Sequence, residues 1–84
     1  MTIYYLNKKR INTNNLVNLY AGGCNRFWMS KNKKRYFAEY ETYNSMEEFS
    51  RAGMICMLTQ TIYPDRAEIG LKKMGAEDEI KNIE

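Results

Sequence analysis

Histidine is absent from the 84 residues. That removes the side chain that most often acts as general base, activates nucleophiles and ligates metals. Cysteine occurs twice, at Cys24 and Cys56. Two distant cysteines without histidine do not make a zinc site. No phosphate-loop, dinucleotide-binding or nucleophile-elbow motif occurs, and Gly22-Gly23 reads as a backbone turn. Glu77-Asp78-Glu79 lacks the spacing of a calcium loop. Glu39 and Glu41 fall on one face of a strand, as paired catalytic carboxylates can. Arg26 and Arg35 lie near enough to keep both ionised, so they read as ion-paired surface. The expectation is a protein that is not an enzyme, with no catalytic residues, no cofactor and no metal.

Long apolar runs are also missing. None approaches the ~20 residues of a membrane-spanning helix. The opening TIYYL is followed by charge and has no small-residue cleavage site. These features predict a cytoplasmic protein with no membrane partner, in which the two thiols stay free. Acidic residues are absent from positions 1 to 38, which hold Lys8, Lys9, Arg10, Arg26, Lys31, Lys33, Lys34 and Arg35. All ten acids, against five bases, follow from Glu39 onward, leaving the chain at +3. Such asymmetry points to a polyanionic partner for the first half or to a mixed electrostatic interface. Two basic turns on a solvated surface would look the same.

At this length the chain makes one domain, residues 1–84, with a small core. Its centre is the stretch from Cys24 to Ile62. Asn25–Ser30 and Arg35–Thr42 are rich in aromatics, which suit a pleated, half-buried surface. The polar run Lys31-Asn32-Lys33-Lys34 separates them. A two-residue turn at Asn32-Lys33, with Asn32 left-handed, pairs Ser30 with Arg35, Met29 with Tyr36, Trp28 with Phe37, Phe27 with Ala38 and Arg26 with Glu39. Phe27, Met29, Tyr36, Ala38 and Tyr40 then form a core face. Arg26, Trp28, Ser30, Arg35, Phe37, Glu39 and Glu41 share the other.

Ser45-Met46-Glu47-Glu48 fits a capping box, with Ser45 as N-cap of a main helix over about 45–62. Met46, Phe49, Ala52, Gly53, Cys56 and Met57 form one stripe along it, with Gly53 allowing close approach to the sheet. Met54, Ile55, Leu58 and Ile62 form a second. That second stripe either packs under a short C-terminal helix through Ala67, Leu71 and Met74 or makes a homodimer contact. The shorter helix spans Asp65 to Met74 and is capped by Gly75. Thr2–Leu6 reads as a strand, and Asn7–Arg10 as a basic turn or strand end. Residues 11–23 fit a short helix, with Leu16 and Tyr20 one turn apart, or a strand. The helix is the preferred reading. Ala76–Glu84 is expected as a docked helical tail. The fold class is α+β: a small antiparallel sheet centred on a 25–42 hairpin, packed by the main helix and the short C-terminal one.

Two functions remain. Trp28 and Phe37 beside Arg26, Arg35 and the three lysines could stack on single-stranded bases, giving a small nucleic-acid-binding or regulatory protein. Glu39 and Glu41 on that face would repel phosphate, and burial of Trp28 and Phe37 under the N-terminal segment would remove them from contact. Alternatively, aromatic anchors mixed with arginine and acids suit a protein interface. In RFWMSKNKKRYFAEYETYNSMEEF, with its sheet and following helix, the chain resembles small phage-encoded inhibitors, anti-CRISPR proteins among them. The resemblance covers about half the chain and rests on size, the missing catalytic set and architecture. It implies a phage- or mobile-element-encoded inhibitor in the cytoplasm of a bacterial host. Such a protein would block a host protein or nucleoprotein complex, such as a CRISPR effector, by steric and electrostatic contact. The expected partner-binding residues are Arg26, Trp28, Lys31, Lys33, Lys34, Arg35 and Phe37.

Overall fold

The computed structural model describes residues 4–6, 9–22, 25–40 and 45–83. Six strands form one sheet: β1 (Tyr4–Leu6), β2 (Lys9–Ile11), β3 (Leu16–Gly22), β4 (Asn25–Ser30), β5 (Tyr36–Tyr40) and β6 (Ser45–Phe49). Their order is β2-β1-β6-β5-β4-β3, and neighbours are antiparallel except β1 and β6. Two helices follow, α1 (Arg51–Thr59) and α2 (Pro64–Met74), then a 3-10 turn over Glu77–Asn82. The fold is α+β, with both helices on one face of the sheet. Thr2 and Ile3 of the expected first strand, and Glu41 and Thr42 of the hairpin, lie outside the described residues.

The β4–β5 hairpin has the register its alternation dictates. Arg26 opposes Glu39, Phe27 opposes Ala38, Trp28 opposes Phe37 and Met29 opposes Tyr36. The connection is longer than a two-residue turn. Ser30 and Arg35 close it through Ser30 N–H to Arg35 O at 2.8 Å, and Lys33 N–H reaches Ser30 O at 2.9 Å. Lys33, not Asn32, takes the left-handed conformation, at φ 62°. Asn32 instead uses its side chain, whose Oδ1 accepts from Lys34 N–H at 3.1 Å.

Residues 16–22 form a strand, not the preferred helix. A bulge explains the misleading spacing. Asn18 opposes Trp28 and Tyr20 opposes Phe27, so Leu19 is an extra residue without a cross-strand partner. The bulge lets Leu19 and Tyr20 both pack toward the helices, while Leu16 packs on the far side. Apolar residues at 16, 19 and 20 imitate a helical stripe. Just before the strand, Thr13–Asn15 form a 3-10 turn capped by Asn12, whose side chain accepts the Asn14 N–H.

Ser45–Phe49 is also strand rather than the first turn of the main helix. Pairing with β5 captures it and buries Met46 opposite Glu39. The helix begins later, with Ser50 as N-cap accepting the Gly53 N–H at 3.0 Å. It ends at Thr59, short of Pro64. The inward stripe is Met54 and Leu58, packed with Leu71 and Met74 of α2, while Ala52 and Cys56 are exposed. This is the packing alternative for that stripe, and the stripe through Cys56 is not the buried one. Gly53 meets the helix's own N-terminus, with Ser50 Oγ 3.2 Å from where its Cβ would sit. Close approach to the sheet belongs instead to Gly70, whose Cβ would lie 2.6 Å from Leu19 O. α2 starts one residue ahead of the expected Asp65, with Pro64 in its first turn, and ends as expected at left-handed Gly75 (φ 74°), which donates to Leu71 O and Lys72 O. In the tail, Ala76 is buried and Ile80 and Ile83 pack on the core.

Both sheet faces are used. The helix side buries Leu19, Tyr20, Phe27, Met29, Tyr36 and Ala38, with Tyr20 stacked on Phe27 at 5.7 Å. The far side buries Phe37 and Met46 with Leu6, Ile11, Leu16 and Trp28 around them. Chain length enforces this second core. A flat sheet of six strands would hold β2 and β3 about 24 Å apart, yet the five steps from Ile11 to Leu16 reach about 18 Å at most. The sheet must curl its two edges toward each other, over Phe37.

Candidate functional site

The loop at the end of the β4–β5 hairpin presents Lys31, Lys33 and Lys34, all exposed. Among the described residues none of the three joins an ion pair. The loop is nonetheless held firmly. Ser30 Oγ accepts from Arg35 N–H at 2.9 Å and from Lys34 N–H at 3.2 Å. From the helix side, the buried Tyr36 donates its hydroxyl to Lys33 O at 2.6 Å. A left-handed lysine costs about 1–2 kcal/mol relative to a right-handed one. These bonds hold the strained residue in place.

Behind the loop, the remaining expected contact residues are tied into the fold. Arg35 donates from Nε and Nη2 to both carboxylate oxygens of Glu48, at 2.9 and 3.0 Å. Its guanidinium also lies over the Phe37 ring, 5.1 Å from the centroid. The bidentate hydrogen bond with Glu48 raises the Arg35 pKa and lowers that of Glu48. Phe37 is 1% exposed and Trp28 half-buried. The Trp28 indole donates to Glu39 Oε1 and Arg26 to Glu39 Oε2, both at 3.3 Å. Glu39 is itself 1% exposed. The cross-strand Arg26–Glu39 pair is present, but its acid is interior. Burial of Phe37 and partial burial of Trp28 leave little of the two-ring stacking platform that single-stranded bases would need. The exposed lysines and Arg35 remain, with Arg26 at the hairpin's opposite end.

The stripe considered for self-association divides. Met54 and Leu58 are fully buried, Ile55 is half-buried, and Ile62 is 84% exposed between the helices. Cys56 is a free, exposed thiol; Cys24 lies outside the described residues. Among those residues no cluster of acids and cysteines is placed to hold a metal ion, and no helix is long and apolar enough to cross a membrane. On the helix side, Tyr40 donates to Glu47 at 2.9 Å. Burial first, and this bond second, raise the Tyr40 pKa. Glu48 is the residue that local sequence most misplaces. A capping box claims it, whereas strand pairing delivers it to Arg35. The chain matches no known protein family, no curated protein and no solved structure.

Proposed function

We propose that this is a non-enzymatic binding protein, an inhibitor encoded by a phage or mobile element. It acts in the cytoplasm of a bacterial host and blocks a nucleoprotein complex such as a CRISPR effector. The observation that carries the reading is the lysine loop: three exposed cations on a hairpin end whose backbone is fixed before any partner arrives. Fixing a loop in advance lowers the ordering cost of association. Exposed cations speed encounter with a polyanionic or acidic surface and set its orientation. The mechanism is obstruction, with Lys31, Lys33, Lys34 and Arg35 gripping a polyanionic or acidic surface of the complex and blocking access to it. Phe37 takes no part in contact; it supports Arg35 from beneath.

The test is affinity capture from a lysate of a CRISPR-bearing bacterium, with and without nuclease, using wild type and the Lys33→Glu and Lys34→Glu variants. Both substitutions lie in solvent and leave the fold intact. The expected result is a defined nucleoprotein complex that survives nuclease and disappears with either variant. Recovery of nucleic acid alone, or capture unchanged by both variants, refutes the reading.

A further inference from the structure

Two basic runs far apart in sequence line a single cleft. Lys9 and Arg10 come from β2, at the sheet edge, and Arg35 comes from the start of β5. With Leu6 and Ile11 they enclose about 380 Å³. Among the described residues no acid lines the cleft, although Glu48 reaches Arg35 from outside it. The volume falls in the ~300–1,000 Å³ range of small-ligand pockets.

We infer that this cleft binds the sugar-phosphate backbone of a nucleic-acid strand. It thereby names the component of the target complex that the protein grips, and so rests on the function proposed above. The lining side chains that hydrogen-bond are lysine and arginine, which offer donors and no acceptor. An acidic peptide would bring backbone N–H groups into the cleft that those side chains cannot satisfy. Phosphodiester oxygens are acceptors only. Leu6 and Ile11 give the apolar floor that a sugar ring can cover. Among the described residues no aromatic ring lines the cleft, so the contact inferred is to backbone and indifferent to sequence. Glu48 holds Arg35 in a fixed orientation and cancels much of its charge. Phosphate therefore competes with Glu48 for that guanidinium.

The experiment is fluorescence anisotropy of labelled oligothymidine and oligoadenosine, titrated with purified protein over a range of salt. Wild type should bind both strands alike, more weakly as salt rises. Lys9→Ala/Arg10→Ala should lower affinity roughly tenfold and make the logarithmic salt slope shallower by about 1.4, that is ~0.7 for each phosphate no longer neutralised. Glu48→Gln frees Arg35 and should raise affinity several-fold, opposite in sign to any loss of structure. No binding at low salt overturns the inference, as do affinities that neither variant alters. Equal binding of poly-glutamate with the same dependence on Lys9 and Arg10 also overturns it, in favour of an acidic protein surface. A nuclease-resistant complex captured by a protein that ignores oligonucleotides leaves the inhibitor reading standing without this cleft. Oligonucleotide binding with no complex captured does the reverse.

Discussion

Phe37 separates a sheet with one covered face from a sheet with two. It stands opposite Trp28, on the side away from the helices, and is 1% exposed. Its neighbours are Met46, Leu6, Ile11, Leu16 and Trp28, with Arg35 over the ring. Replacing a buried phenylalanine by alanine costs about 3–5 kcal/mol. A domain of this size has only ~4–13 kcal/mol in total, so Phe37→Ala removes a large fraction of its stability. Phe37→Leu keeps most of the volume and costs ~1.5–2 kcal/mol, from shape change and from the missing stack with Arg35. At roughly 4–8 °C per kcal/mol that lowers Tm by about 6–16 °C. Urea unfolding followed by emission reads the effect directly, because Trp28 is the sole tryptophan and sits in the same cluster. The midpoint should fall with the slope unchanged. A Phe37→Ala protein with the wild-type midpoint would show the far face to be open, and the curled-sheet account would fail.

Two further outcomes test other parts of the architecture. Gly70→Ala drives a methyl group against the Leu19 carbonyl, so it should cost about 1–3 kcal/mol despite alanine's better helix propensity; a stabilised variant in thermal melts would show that α2 stands off from β3. The bond to Arg35 depresses the Glu48 pKa on folding, so the pair's stabilisation is present above the unfolded glutamate pKa and is lost as pH falls through the lower folded value. Carboxyl NMR should place Glu48 below an ordinary glutamate and return it there in Arg35→Ala, with a stability change of about 1 kcal/mol or less for so exposed a pair.

What the sequence made legible was whatever local chemistry decides. Alternation fixed the β4–β5 register, because a slip by one residue would send Phe27, Met29 and Tyr36 to the wrong face. Gly75 marked the end of α2 for the same kind of reason, because it tolerates a left-handed turn. The failures lie where a distant strand decides. Nothing near Ser45 reveals that β5 waits to pair with it, and Ser45-x-x-Glu48 reads as a cap until that partner is known. The β3 bulge replaces a period of two with a spacing of three and four, so residues 16–22 carry a false helical signature. The cleft was the least legible feature. Lys9 and Arg10 read as a basic turn or strand end, and only the curl of the sheet sets them beside Arg35.

The curl also narrows where function can lie. A sheet that carries helices on one face and closes on itself over the other has no flat surface left for a partner. Trp28, Phe37 and Glu39, which on a flat sheet would form an exposed aromatic and charged face, are spent on the second core. Contact is left to the sheet's rims and loop ends. There the first half of the chain contributes Lys9, Arg10, Lys31, Lys33, Lys34 and Arg35, the last already paired with Glu48. The remaining acids of the described second half are carried by β5, β6, α2 and the C-terminal turn. Folding thus converts a charge asymmetry along the sequence into a basic rim around one end of the sheet. Arg35 lines the cleft and directly follows Lys34 of the loop, and exposed cations act over a Debye length, ~8–10 Å at physiological salt, so the field of the loop should extend to the Arg35 side of the cleft. If the cleft takes a nucleic-acid strand as inferred above, a strand that meets the loop first should be guided toward it, and the double variants of loop and cleft should be less than additive in their effect on association rate.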